Sequence, residues 1–109
     1  MLNLTEKEKE CIDYTCFQIF WGSGNNKKLG NAAVKLMNLV KIKTEISVSI
    51  LSNYKEFIDI VLEELDRIEI SKFQLNPKWS LEETEDVVRV YNLFICAYEA
   101  LIRLKEEIK

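Results

Sequence analysis

Two pairs of carboxylates are the side chains in this sequence best suited to chemistry. Glu63 and Asp66 form one pair and Glu83 and Asp86 the other, and a chain reversal is expected between them. A spacing of three residues places both members of a pair on one face of a helix. If the two helices run antiparallel, the four carboxylates could surround Mg²⁺, which prefers oxygen ligands and supports phosphate chemistry.

The second pair lies in the run Glu83-Thr84-Glu85-Asp86, which two valines follow. This run resembles the second acidic motif of all-α nucleotide pyrophosphohydrolases of the MazG type, whose motifs are E-x-x-E and then E-x-x-D. The resemblance covers about residues 60–95, and Asp66 stands where that family has Glu. It implies a Mg²⁺-dependent enzyme that releases pyrophosphate from nucleoside triphosphates. The metal ligands that it implies are Glu63, Asp66, Glu83 and Asp86.

A simpler interpretation of the same carboxylates is a solvated helix surface. Acidic residues in the first turn of a helix interact favourably with the helix dipole, which accounts for Glu83 without a metal. The sequence also contains no histidine, the commonest general base and metal ligand. We therefore favour a protein that is not an enzyme, and we expect neither a bound metal nor a cofactor.

Lysines dominate the first half of the chain. Residues 21–55 carry six lysines against one glutamate, and Lys27 and Lys28 lie in the glycine-containing segment 22–30, before a predicted helix. A helix N-terminus can bind an anion, but the P-loop motif is absent. Arginine, which base-reading proteins use most, is absent before Arg67, and the net charge is −3. These features argue against a nucleic-acid partner.

A long polar stripe indicates helix through residues 31–69, which contain no Gly or Pro. Its members are spaced by three or four residues, as one helical face requires. They are Asn38, Lys41, Glu45, Ser49, Ser52, Glu56, Asp59, Glu63 and Arg67. The same region alternates strictly from Val40 to Ile50, which is typical of a strand. We favour helix with a break at residues 47–53, and the sequence leaves open whether 31–69 is one helix or two.

Two capping boxes predict where the helices before and after residues 31–69 begin. Thr5 with Glu8 predicts the start of a first helix that ends at Gly22, and Ser80 with Glu83 predicts the start of the last. We expect Asn31 to cap the second helix. The buried stripe of the first helix is predicted to be Ile12, Cys16, Ile19 and Phe20.

The last helix, residues 81–108, carries two adjacent apolar seams. The first is Val87, Val90, Phe94, Ala97, Leu101, Leu104 and Ile108, and the second is Val88, Tyr91, Ile95, Tyr98 and Ile102. Two seams require cover on more than one side, so this helix is predicted to be central or to form a homodimer. The three cysteines lie in apolar stretches and are predicted to be reduced core residues of a cytoplasmic protein.

The fold predicted from these observations is all-α, an antiparallel three- or four-helix bundle with long central and C-terminal helices, in one domain over residues 1–109. No apolar run approaches the ~18 residues of a membrane span. We expect a small binding protein of the inhibitor, adaptor or immunity type, from a phage or a bacterial defence system, whose partner is another protein. The predicted partner-binding residues are Glu56, Asp59, Glu63, Arg67, Lys27 and Lys28.

Overall fold

The computed structural model describes residues 3–43, 45–68 and 75–108, and five helices form within them. They are α1 Glu6–Gly22, α2 Lys27–Leu39, α3 Val48–Ser52, α4 Lys55–Arg67 and α5 Leu81–Ile108. More than three quarters of the described residues are helical, and none of them lies in a strand. The all-α prediction is therefore confirmed.

The four longer helices form a ring in which α1 contacts α2 and α5, and α4 contacts the same two helices. Helix α1 runs antiparallel to α5, because Glu8 near its start pairs with Arg103, whereas Tyr14 further along lies against Phe94. The short helix α3 packs on α5.

Helix α4 also runs antiparallel to α5. Asp59 in its first half pairs with Lys105, and Asp66 near its end accepts a hydrogen bond from Tyr98. The arrangement is an antiparallel four-helix bundle, as the sequence predicted, with α3 as an added turn of helix.

The first helix begins and ends where the sequence predicts. Thr5 Oγ1 accepts a hydrogen bond from the Glu8 N–H at 3.1 Å, and Glu8 Oε1 accepts one from the Thr5 N–H at 3.0 Å. This capping box satisfies two amides that would otherwise lack a partner. The predicted stripe is wrong at one position, because Phe20 remains 40% exposed whereas Ile12 and Ile19 are buried.

Helix α2 begins earlier than predicted. Its cap is Asn26, whose Oδ1 accepts a hydrogen bond from the Leu29 N–H at 3.1 Å, and the predicted cap Asn31 lies inside the helix. Lys27 and Lys28 are consequently the first two residues of α2, and Gly30 is buried within it. Asn26 is the better cap because it leaves only residues 23–26 in the loop that joins α1 to α2.

The preference for helix throughout residues 31–69 is wrong between Val40 and Ser47. Helix α2 ends at Leu39, and the next helical residue is Val48; Thr44 lies outside the described residues. This segment is rich in β-branched residues, which lower helix propensity. Ser47 then caps α3, its Oγ accepting a hydrogen bond from the Ile50 N–H at 3.2 Å. A second break follows α3 at Asn53 and Tyr54, so it begins inside the predicted interval 47–53 and ends one residue beyond it.

Helix α5 has the predicted bounds, and Ser80 caps it by accepting a hydrogen bond from the Glu83 N–H at 3.1 Å. Its burial is uneven along its length. The residues that are buried lie in its second half and are Ala97, Ala100, Leu101 and Leu104. The predicted seam residues of the first half are only partly buried. None of the helices in the described ranges is both long and apolar enough to cross a membrane.

Candidate protein-interaction surfaces

A groove of about 460 Å³ separates α4 from α5 and contains several charged side chains. Lys105 Nζ lies 2.8 Å from Asp59 Oδ1, and Tyr98 donates a hydrogen bond of 2.8 Å to Asp66 Oδ1. Glu63 also lines the groove, between these two contacts. We call this the α4–α5 groove. Its two cross-helix contacts hold α4 and α5 together at their polar margin.

The contacts in the α4–α5 groove change the protonation of its side chains. The hydrogen bond to Asp59 and its negative charge raise the pKa of Lys105, and the nearby Glu63 adds to this effect. The hydrogen bond to Asp66 raises the pKa of Tyr98. Lys105 therefore stays charged and Tyr98 stays neutral near pH 7. Neither is poised to transfer a proton at that pH.

A second depression lies between the start of α2 and the end of α4, with a volume of about 340 Å³. Lys28, Glu63 and Arg67 line it, together with Glu64. Arg67 Nε donates a hydrogen bond of 2.9 Å to Glu64, which lowers the pKa of that carboxyl and raises the pKa of the guanidinium. We call this the α2–α4 cleft. It is a charged surface in which Arg67 is already paired with Glu64.

The structure brings together only part of the predicted partner-binding set. Lys28, Glu63 and Arg67 meet at the α2–α4 cleft. Asp59 is half-buried and paired with Lys105, so it is a structural contact of the bundle. Glu56 and Lys27 are exposed, and neither lines the cleft.

The four carboxylates of the magnesium hypothesis do not converge. Among the described residues, no three cysteine, aspartate or glutamate side chains lie close enough to hold a metal ion together. Asp66 is level with Tyr98 of α5, whereas Glu83 lies in the first turn of that helix. At 1.5 Å per residue this is a separation of about 22 Å along the helix axis.

Three large aromatic side chains are exposed at the end of α1. Phe17, Phe20 and Trp21 keep 48%, 40% and 69% of their surface accessible, respectively. Trp21 contacts both phenylalanines edge to face, with ring centroids 6.1 Å and 5.8 Å apart. We call these residues the aromatic cluster. Grouped aromatics on a surface are characteristic of protein interfaces, where they supply much of the binding energy.

The aromatic cluster was missed at the sequence level, although a signal was present. Positions 17, 20 and 21 share one face of α1 with Glu6, Glu10 and Asp13, and acidic residues mark a solvent-facing stripe. Phe20 was predicted to be buried because it is hydrophobic, although it shares a helical face with these acidic residues. The exposed carboxylates would have identified the outward face correctly.

All three cysteines are free thiols. Burial raises the pKa of Cys16 to about 12, and burial together with a hydrogen bond to Cys96 raises that of Cys11 to about 12. Both thiols are protonated at neutral pH, so neither is a nucleophile. Cys11 and Cys16 are buried, as predicted, while Cys96 is half-buried.

The aromatic cluster and the α2–α4 cleft both adjoin the start of α2. Phe20 lies beside Gly30 in the first turns of α2, and Lys28 of the same turns lines the cleft. Comparison of the chain with protein-family models, curated protein sequences and solved structures finds no match.

Proposed function

We propose that this chain is a small non-enzymatic binding protein, of the inhibitor, adaptor or immunity type, that recognises another protein. The observation that carries the proposal is the exposed aromatic cluster of Phe17, Phe20 and Trp21. Its three reduced thiols fit a cytoplasmic setting, where disulfides are rare. A phage or bacterial defence setting is part of the same proposal and is motivated by the Ile-, Lys- and Asn-rich composition of the chain.

The exposure of the aromatic cluster supports binding because three large aromatic side chains lie together on one surface. Leucines and isoleucines such as Ile12, Leu36 and Leu101 are fully buried in the core, whereas Trp21 keeps more than two thirds of its surface in water. An aromatic side chain contributes roughly 150–250 Å² of contact area when it is covered. A partner that covers Trp21 therefore gains contact area with a side chain of few rotatable bonds.

The charged residues of α2 and α4 fit the role of an interface rim. Lys28, Glu63 and Arg67 line the α2–α4 cleft and Lys27 is exposed next to Lys28, while Glu56 is exposed in the first turn of α4, at the other end of that helix. Rim charges contribute to association rate and to the choice of partner more than to affinity. In this proposal Asp59 takes no part, since Lys105 occupies its carboxylate.

The test is affinity capture from the cells that produce the protein, with three forms of the chain. The wild type is compared with the Phe17→Ser/Trp21→Ser variant and with a control, Val48→Ser/Ile50→Ser. The control removes two exposed apolar side chains of α3, 42% and 38% accessible, so it tests the loss of exposed apolar surface outside the aromatic cluster. We expect the wild type and the control to retain one dominant partner. The aromatic variant should bind that partner roughly 30-fold more weakly or worse, as expected for a hot spot of at least ~2 kcal/mol.

Circular dichroism shows whether each variant is folded. Because the substituted side chains are exposed, all three forms should give the same helical spectrum. A folded aromatic variant that keeps the partner at full affinity would contradict the proposal. Pyrophosphate release from nucleoside triphosphates with Mg²⁺, abolished by Glu83→Gln, would establish the enzymatic alternative in its place.

Self-association through α5 is a separate part of the proposal. In the first half of this helix, residues 81–96, the apolar side chains are at most partly buried. A two-fold contact along this half would cover the same surface on both copies. Light scattering of the wild type at high concentration should show a dimer, and Val87→Glu/Phe94→Glu should shift it to monomer. A wild type that is monomeric throughout would exclude this contact.

A further inference from the structure

The outer face of α1 combines two kinds of surface along one line. Glu6, Glu10 and Asp13 occupy its first half and the aromatic cluster its second, and every one of these side chains is exposed. Their spacings of three and four residues place them on one face, over a length of about 22 Å. This face points away from the buried stripe of α1 that includes Ile12 and Cys16.

The carboxylates of this face are available to a partner. Glu6 has one weak contact, with Lys9 Nζ at 3.6 Å. Glu10 and Asp13 form no ion pair with any residue in the described ranges. By contrast, Glu8 on the flank of the helix is already paired with Arg103 at 2.9 Å. The acidic half of the outer face therefore offers Glu10 and Asp13 as its available carboxylates, while Lys9, Lys41 and Lys43 line a depression beside Glu6. The aromatic half is apolar.

We infer that the outer face of α1 docks an amphipathic segment of a partner protein that carries basic residues at one end and large apolar residues at the other. This inference rests on the proposed function and names the chemistry of the partner. The basic end would lie over Glu10 and Asp13, and the apolar end would cover Phe17 and Trp21. An arginine- or lysine-bearing helix of similar length satisfies both halves at once.

Charge excludes the other classes of occupant. Nucleic acid and anionic lipid both present negative groups, which the carboxylates of the first half repel. A second copy of this chain is a poor match as well. If two copies of α1 pair antiparallel through their aromatic clusters, Glu10 and Asp13 of each copy have no partner. If the two helices overlap along their whole length, the carboxylates of one copy lie over the aromatic rings of the other. The face is complementary to a basic and apolar sequence, not to itself.

The test uses two synthetic helical peptides that share a leucine-rich half. One carries arginines in its other half and the second carries glutamates there, and each is labelled for fluorescence anisotropy. The full chain should bind the arginine peptide and not the glutamate peptide. Glu10→Lys/Asp13→Lys should weaken the arginine peptide about tenfold and confer binding of the glutamate peptide. The control Glu99→Lys/Glu107→Lys reverses two exposed carboxylates of α5 and should change neither result.

The outcomes separate this inference from the proposed function. If charge reversal at Glu10 and Asp13 alters neither peptide binding nor capture of the cellular partner, while Phe17→Ser/Trp21→Ser abolishes capture, the partner is not basic. The inference then fails and the proposed function stands. If the aromatic variant captures the partner normally, the proposed function fails first. Binding of duplex DNA or of anionic phospholipid vesicles that the aromatic variant loses would also overturn the inference.

Discussion

Replacement of Gly30 by alanine tests how tightly α1 and α2 are joined beside the aromatic cluster. Gly30 lies in the first turns of α2, where alanine is favoured over glycine by roughly 0.5–1 kcal/mol. A Cβ at this position would lie 3.1 Å from Ser23 Oγ, a contact tighter than side chains normally make, and 3.8 Å from Phe20 Cδ2. The Ser23 hydroxyl also donates a hydrogen bond of 2.7 Å to the Phe20 carbonyl.

These two effects oppose each other in the single variant. If the new methyl group displaces the Ser23 hydroxyl, the lost hydrogen bond costs about 0.5–1.5 kcal/mol, which cancels the gain in helix propensity. Gly30→Ala should therefore either leave the free energy of unfolding nearly unchanged or lower it by at most about 1 kcal/mol. In a Ser23→Ala background the obstructing oxygen is absent, and the same substitution should stabilise the protein by the full 0.5–1 kcal/mol or so.

Urea denaturation followed by circular dichroism, on all four members of the double-mutant cycle, measures the difference directly. We expect a coupling free energy of about 1 kcal/mol between the two positions, from the hydrogen bond that only the single Gly30 variant displaces. Equal stabilisation by alanine in both backgrounds would refute the reasoning, because it would show that the Ser23 hydroxyl moves without cost. Destabilisation in the Ser23→Ala background would equally refute it and would identify Phe20 as the obstruction.

Three further predictions concern the bundle. Leu101→Ala should lower the free energy of unfolding by about 2–5 kcal/mol, because Leu101 is fully buried, whereas Leu81→Ala, at a residue 76% exposed, should change it by less than ~0.5 kcal/mol in the same urea titrations. Partial burial favours the neutral form of Glu8, but hydrogen bonds from the Thr5 backbone and Arg103 outweigh this effect and lower the pKa of the carboxyl. The ionised Glu8 therefore stabilises the fold above a pH of ~4.3, and this stabilisation is lost as the pH falls. A wild type that loses no more stability on acidification than Glu8→Gln would refute this. The hydrogen bond to Asp66 raises the pKa of Tyr98. The wild type should therefore lose more stability than Tyr98→Phe above pH ~10, where the tyrosine of the unfolded chain ionises. Identical alkaline unfolding of the two proteins would contradict the assignment.

The starts of α1 and α5 were the most predictable part of this fold. Thr5 and Ser80 cap α1 and α5 through contacts within three residues, so the short stretch of sequence around each contains all that is needed. Asn31 failed as a cap because Asn26, five residues earlier, competes for the same role and leaves the shorter loop.

The segment between α2 and α3 could not be predicted from local pattern. A polar stripe of helical spacing and an apolar alternation of strand spacing run through the same residues, and each is a consistent signal. Neither signal is fulfilled along the described part of this segment: Val40 follows the end of α2 and Ile46 forms an isolated β-bridge, and the two are buried with 7% and 3% of their surface exposed. Residues 68–75 are the one other stretch whose sequence offers a strand partner for this segment, and they lie mostly outside the described residues.

The candidate surfaces were predicted less well than the fold. The predicted partner-binding residues include Lys28, Glu63 and Arg67, and these three line one cleft. The exposure of Phe17 and Trp21 was indicated only by the acidic residues that share their face of α1. Hydrophobicity alone cannot distinguish a core aromatic from an interface aromatic.

The uneven burial of α5 gives this single helix two different local stabilities. Its second half holds Ala97, Leu101 and Leu104 in the core, so opening those amides requires the bundle to unfold. Residues 81–96 have no fully buried side chain and can fray from the Ser80 cap at a smaller free energy. Hydrogen exchange along α5 should therefore be graded, fast at one end and globally protected at the other. The N-terminal half of such a helix can change conformation when a partner binds, while its C-terminal half stays packed in the core and keeps the molecule folded.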